Sequence, residues 1–215
     1  DALVGAIIGD RYEILSVLGQ GGMGVVYKAR HMVLQSSFAI KLLLSHDTAQ
    51  ETQRFLREAQ LTSKVRHPNI VQVADFGVLT DGRSYLVMEC IDGRTLSSVI
   101  ETGPLAPKRA YNIALQIARG LQAIHDEGII HRDLKPANLF LTKRPDGSAF
   151  VKVLDFGISK VLPKDTDTSP EPRGMSMTRT KQMLGTPLYM PPEQIGSARS
   201  VDMTSDIWSL GVILF

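Results

Sequence analysis

The hydrophobic period of the chain changes near residue 90, and few folds accommodate such a change. Upstream, the stretches 12–18, 25–30, 38–42, 70–76 and 84–90 alternate apolar and polar residues or are rich in β-branched ones, which predicts short strands. One amphipathic helix interrupts them over 50–65, where Phe55, Ala59 and Thr62, joined by Leu61 and Val65, share a face. Downstream, 96–100 and 107–127 read as helices, and the longer one carries Ile113, Ile117, Leu121 and Ile124 at helical spacing as a core stripe. Two short strand-like runs, 139–141 and 151–154, follow it. The shift falls at a short connector, 89–93, broken by Asp92-Gly93. An α+β chain of two lobes is therefore expected, a strand-rich one over about 10–88 and a mainly helical one over 94–215, with a cleft at the connector.

A chain of 215 residues can bury a real core. A formal net charge of +2 is too small to argue for nucleic acid or an anionic membrane as partner. Cys90 is the single cysteine, which excludes an internal disulfide and a thiolate zinc cluster and suits a reducing cytoplasm. The apolar residues 2–8 are too few to span a bilayer and have no basic leader. The apolar run 207–215 ends without a cap or polar tail, so the chain is expected to be a fragment of a longer protein.

Gly19, Gly21, Gly22 and Gly24 fall within six residues between the first two predicted strands. Glycines so placed let backbone N–H groups lie against phosphate oxygens, although a Gly-rich hairpin turn has the same composition. A dinucleotide fold needs a helix straight after them, whereas Val25-Val26-Tyr27-Lys28 reads as a return strand, which favours a flap over a nucleotide. Lys41, in the strand 38–42, is placed to reach phosphates under that flap, or is a solvated strand lysine. Glu58 lies near the buried side of the helix 50–65, where it can pair with Lys41 or with Arg54 four residues earlier.

The loop His131-Arg132-Asp133-Leu134-Lys135-Pro136-Ala137-Asn138 collects complementary chemistry between a helix and a strand. Asp133 can take a proton from a hydroxyl, Lys135 can neutralise a phosphate, and Asn138 offers a carbonyl to a hard cation such as Mg2+. Asp155, at the end of the strand 151–154 and before Phe156-Gly157, is a second metal-binding carboxylate or the start of a turn. His125, with no second His or Cys at metal spacing, reads as a packing or surface residue. The Ser/Thr-rich, Pro-punctuated stretch 160–183 is expected to be mobile and open to modification.

Taken together, these motifs resemble the protein kinase superfamily. The resemblance runs from Tyr12 to Phe215 and rests on Gly19-x-Gly21-x-x-Gly24-x-Val26, Ala39-Ile40-Lys41, Glu58, His131-Arg132-Asp133, Asn138, Asp155-Phe156-Gly157 and Pro192-Glu193. The stretches around 18–27 and 128–138 look most like the bacterial, eukaryotic-like serine/threonine kinases. The fold it implies has an antiparallel sheet and one helix in the first lobe, a hinge at 89–93, and an incomplete helical lobe with its activation segment at 155–193.

The implied activity is ATP- and Mg2+-dependent transfer of the γ-phosphoryl group to Ser or Thr of protein substrates. Leu18 and the glycines would cover the nucleotide, and Lys41, held by Glu58, would contact the α and β phosphates. Asn138 and Asp155 would hold Mg2+, Asp133 would take the hydroxyl proton, and Lys135 would steady the γ phosphate. Met88 would back the adenine pocket, the backbone of Glu89 and Ile91 would bond the base, and Val26, Ala39 and Phe140 would sandwich it. Thr186 and Lys135 match the serine/threonine pattern, Arg132 implies control by phosphorylation, and Thr178 and Thr180 are the expected acceptors. Ala137 stands where arginine-directed members carry an acidic residue, so no strong preference for basic substrates is expected. A homodimer follows by analogy, and a membrane anchor beyond residue 215 is left open. A catalytically silent scaffold of the same fold is disfavoured by the intact Lys41, Glu58, Asp133, Asn138 and Asp155. A small-molecule phosphotransferase is disfavoured by Thr186 and Pro192-Glu193.

Overall fold

The computed structural model describes residues 3–21, 24–43, 56, 59–154, 187–196 and 201–215. Six antiparallel strands form the first sheet, in the order β1-β2-β3-β4-β6-β5. They are β1 (Ile7–Ile8), β2 (Tyr12–Gly21), β3 (Gly24–His31), β4 (Ser37–Leu43), β5 (Val73–Val78) and β6 (Ser84–Glu89). The alternation read from the sequence sends Tyr12, Ile14, Val25, Tyr27, Ala29, Ile40, Leu42, Tyr85 and Val87 into one buried layer, with Ile8 closing its edge. The sheet starts earlier than the alternation from Tyr12 suggests, because Ile7 and Ile8 pair with Glu13 and Tyr12.

One expected strand is shorter than its sequence suggests. The stretch 70–76 joins the sheet only from Val73. Its first residues face the other lobe: Ile70 forms an isolated parallel bridge with Val153, and Val71 N–H donates to the Val153 carbonyl at 3.0 Å. A β-branched pair such as Ile70-Val71 cannot reveal which sheet it serves. Leu56 and residues 59–64 are helical, with Ala59 buried against Leu86.

A second sheet, β7-β8-β9, is built from β7 (Arg94–Thr95), β8 (Leu139–Lys143) and β9 (Ala149–Val153). It lies against the helices α1 (Leu96–Ile100) and α2 (Pro107–Asp126). Thr95 caps α1 by accepting from Ser98 N–H, and Pro107 opens α2, where its missing N–H costs nothing. The predicted stripe of α2, Ile113, Ile117, Leu121 and Ile124, is fully buried with Leu134, Leu139, Leu141, Val151 and Val153. At Gly120 an added Cβ would sit 3.2 Å from Ile70 Cδ1 and 3.4 Å from Val153 Cγ2, so α2 packs on β9 because that residue has no side chain.

Two short helices complete the described chain, α3 (Pro192–Gly196) and α4 (Met203–Leu214), the latter capped by Asp202. Ser205 Oγ donates to Glu193 at 2.8 Å and Ser209 Oγ to the Tyr189 carbonyl at 2.8 Å, which ties the segment before α3 to α4. No helix among the described residues is long and apolar enough to cross a membrane.

Candidate active site

The loop 131–138 is held by its backbone. Asp206, in the first turn of α4 and 1% exposed, accepts three hydrogen bonds. Its Oδ2 receives His131 N–H and His125 Nε2, both at 2.8 Å, and its Oδ1 receives Arg132 N–H at 2.9 Å. Arg132 adopts φ 62°, a left-handed conformation unusual for a residue with a Cβ, and its carbonyl accepts from Gln194 Nε2 at 3.1 Å. His131 is buried; its Nδ1 accepts Asp133 N–H at 3.3 Å, which leaves Nε2 to donate to the Leu154 carbonyl at 2.8 Å.

Asp133, Lys135 and Asn138 then meet. Lys135 Nζ lies 2.9 Å from Asp133 Oδ2, and Asn138 Nδ2 donates to the same oxygen at 3.1 Å and to the Asp133 carbonyl at 2.8 Å. The single-turn 3-10 helix Pro136–Asn138 brings Asn138 back over Asp133. Because the Asn138 amide nitrogen is used inward, its Oδ1 remains for an outside ligand, and an amide oxygen suits a hard cation. Leu154 N–H donates to the Asn138 carbonyl at 2.8 Å, which ties the residue after β9 to this loop. Asp155 itself lies outside the described residues, as do Glu58, Gly22, Thr178, Thr180, Thr186 and the stretch 160–183. Among the described residues no three His, Cys, Asp or Glu side chains converge as a metal site.

Across the cleft, Lys41 is half-buried on β4, paired in register with Val26 and Leu86. Ala39, Met88 and Val26 gather with Ile91 into one apolar cluster, to which Val71 and Leu154 also belong. Sequence reading missed those last two, since Val71 sits in a stretch that reads as strand and Leu154 beside the more conspicuous Asp155. Phe140 is not in the cluster: β8 turns Leu139 and Leu141 into the helical core and leaves Phe140 half-buried on the other face. Glu89 N–H is committed to the Gln72 carbonyl at 3.0 Å, so any bond from Glu89 to a base edge falls to its own carbonyl. Leu18 is exposed on β2.

The glycines of the flap are not equivalent. A Cβ at Gly24 would collide with the Leu42 carbonyl oxygen of the neighbouring strand, whereas one at Gly19 or Gly21 would meet nothing within 4 Å. Neither Gly19 nor Gly21 has a positive φ. Gly24 is thus required by the β3–β4 pairing, and the space over Gly19 and Gly21 is open to a ligand. Gly24→Ala is expected to cost about 1–3 kcal/mol in urea unfolding through overpacking. Gly21→Ala is expected to leave stability within about 0.5 kcal/mol and to weaken nucleotide binding in a titration.

Three comparisons place this geometry among known proteins. The family model described as the protein kinase domain matches residues 12–215. The chain is 42% identical over 211 residues to serine/threonine-protein kinase pkn2 of Myxococcus xanthus, covering 97% of this chain and 24% of that protein. It is 41% identical to serine/threonine-protein kinase PknB of Mycolicibacterium smegmatis, covering 97% and 32% respectively. The chain thus spans about a quarter to a third of the length of these two relatives. Among solved structures it superposes on the Mycobacterium tuberculosis PknI kinase domain with TM-score 0.73 and 25% identity, over 98% of this chain and 75% of that one. It also superposes on Rad53 1-466 in complex with AMP-PNP with TM-score 0.72 and 28% identity, over 95% and 47%. An antiparallel sheet lobe, a helical lobe and the loop 131–138 between them are the architecture of that family, and the chain belongs to the protein kinase domain family.

Proposed function

We propose that this chain is the catalytic domain of a serine/threonine protein kinase that transfers the γ-phosphoryl group of ATP to protein hydroxyls. The observation that carries the proposal is the interlocked set Asp133, Lys135 and Asn138 on a loop whose backbone is fixed by Asp206. Bound Mg2+ would supply charge neutralisation at the phosphates, and the residues suited to hold it are Asn138, through its free Oδ1, and Asp155. Asp133 Oδ1 or Oδ2 takes the proton of the attacking Ser or Thr hydroxyl as its oxygen bonds to the γ phosphorus. The bond from that phosphorus to the β–γ bridging oxygen breaks and ADP leaves. Lys135 balances charge on the transferred group, which also offsets the charge of Asp133 in the resting loop. Lys41, oriented by Glu58, positions the α and β phosphates under Gly19 and Gly21.

Support for adenine as the base comes from the apolar cluster of Val26, Ala39, Met88 and Ile91, and from the AMP-PNP complex of the structurally similar Rad53. The catalysis is positioning and charge stabilisation, with little covalent work for the protein. Arg132 also has a role in this reading. Its Nε is buried without a hydrogen-bond partner among the described residues. A phosphate on Thr178 or Thr180 is suited to satisfy that donor, with ATP as the source of the phosphoryl group and a second copy of the chain as the catalyst of its transfer.

The test uses the full-length protein, dephosphorylated and incubated with ATP and Mg2+, with phosphosites mapped by mass spectrometry. Phosphate is expected on Thr178 or Thr180 and on a generic protein substrate, dependent on Mg2+. Absence of any Mg2+-dependent phosphorylation of itself or of the substrate would sink the proposal.

A further inference from the structure

Beside Glu89 of the connector, which pairs with Lys152, lies an open recess of about 380 Å3 lined by Ser63, Arg66, His67, Pro68, Gln72, Val73 and Lys152. Its polar groups are almost all donors. Arg66 is exposed and forms no hydrogen bond or ion pair among the described residues, so its guanidinium fork is uncommitted. His67 Nδ1 accepts Asn69 N–H at 3.2 Å, which in a neutral ring puts the proton on Nε2 as a donor. Burial, then the charges of Arg119 and Lys152, hold the His67 imidazole below its ordinary pKa, so the ring is neutral in a positive field. Gln72 uses one amide N–H on the Val65 carbonyl at 3.1 Å and keeps a second. Lys152 Nζ is 2.6 Å from Glu89 Oε1 and 3.4 Å from the Ile70 carbonyl, which leaves it a third N–H.

The charge count points the same way. Among the described residues Glu89 is the one carboxylate paired into this set, and its Oε1 is already shared between Lys152 and Gln72 N–H at 2.8 Å. Against it stand Arg66 and Lys152 at the recess and Arg119 close enough to act on His67. Among the described residues the uncompensated charge is positive, and uncommitted N–H groups come from a helix end, a loop, a strand approach and β9. A carboxylate has two oxygens to offer such a set. A phosphate has three or four, and charge-assisted N–H bonds to it are the strong kind.

We propose that this recess binds a phosphate group, free or carried as a monoester, with Arg66 and Lys152 as charge partners and His67 Nε2 and the Gln72 amide as further donors. Its place, one ion pair from Glu89, sets the charge of the ligand at the connector between the lobes. The site is separate from the Asp133 loop and its readout is binding, so it stands or falls independently of the phosphoryl-transfer reading.

The test titrates sodium phosphate at constant ionic strength into the dephosphorylated full-length protein, its nucleotide site filled with Mg2+ and a non-hydrolysable ATP analogue. Heat is followed alongside the imidazole NMR resonance that is lost in His67→Gln. Saturable binding that shifts the His67 resonance is expected, weakened about 10- to 100-fold in Arg66→Ala, as for the loss of a charge-assisted bond. Arg66 is exposed, so that variant is expected to fold normally. No saturable shift at His67, an unchanged affinity in Arg66→Ala, or acetate binding as tightly as phosphate would each overturn the proposal. An arm with O-phospho-L-threonine separates the sources: tighter binding than inorganic phosphate supports a phosphorylated side chain as the ligand, and weaker binding supports free phosphate.

Discussion

Asp133→Asn is expected to lower turnover about 10²–10⁴-fold, the usual contribution of a positioned general base, while nucleotide affinity and stability stay near wild type. The substitution keeps the size of the side chain and one oxygen for Lys135 or Asn138, both now within 3.1 Å of Asp133 Oδ2. It removes the proton acceptor and one negative charge beside Lys135. The loop itself is held from behind, through His131 and Arg132 N–H to Asp206, so it does not depend on the Asp133 carboxylate for its shape. Turnover on a protein substrate, with calorimetric titration of nucleotide and urea unfolding alongside, separates the two roles. A loss of turnover under about tenfold would show that Asp133 is not the base. Equal losses in turnover and stability would show a structural residue.

What the sequence makes legible follows from how local each signal is. The β2–β3 flap is readable because its glycines and the β-branched return strand are adjacent, and period-2 alternation places Ile40 and Leu42 in the core without outside information. The stripe on α2 is readable for the same reason at period 3.6. The set Asp133, Lys135 and Asn138 is legible because it occupies six consecutive positions of one loop.

Pairing at long range is another matter. β1 and β7 have two residues each, too short to show any alternation, and form only because β2 and β8 present edges to them. Ile70 and Val71 look like strand yet serve the contact with Val153 at the end of β9, a partner far along the chain. Lys152 and Glu89 are 63 residues apart, and neither flank of Lys152 hints at an acidic partner. His125 reads as an ordinary helix histidine because the hydrogen-bond partner of its ring among the described residues, Asp206, lies 81 residues on. Phe140 lies between Leu139 and Leu141 on β8, and the alternation that sends those two into the helical core leaves it on the opposite face.

Removing the Asp206 carboxylate is expected to do the most damage to stability. Asp206→Ala strips three hydrogen bonds from a residue that is 1% exposed and leaves the buried His131 N–H and the half-buried Arg132 N–H without acceptors. Each orphaned N–H costs about 1–3 kcal/mol, which puts the two together at about 2–6 kcal/mol. The loss also reaches the chemistry. The left-handed φ of Arg132 costs about 1–3 kcal/mol and persists because Asp206 Oδ1 and Gln194 hold both sides of that residue. Once Asp206 is gone, Arg132 relaxes and carries the next residue, Asp133, off its line to the hydroxyl. His125→Ala is the matched control, since it removes one donor to Asp206 and leaves both backbone bonds, so it is expected to cost about 1 kcal/mol and little activity. Urea unfolding and turnover measured on both variants decide the matter. If His125→Ala is as damaging as Asp206→Ala, the side-chain pair holds α2 against α4 and the backbone bonds to the loop are secondary. If Asp206→Ala alone collapses both stability and turnover, the carboxylate is the clamp that shapes the Asp133 loop.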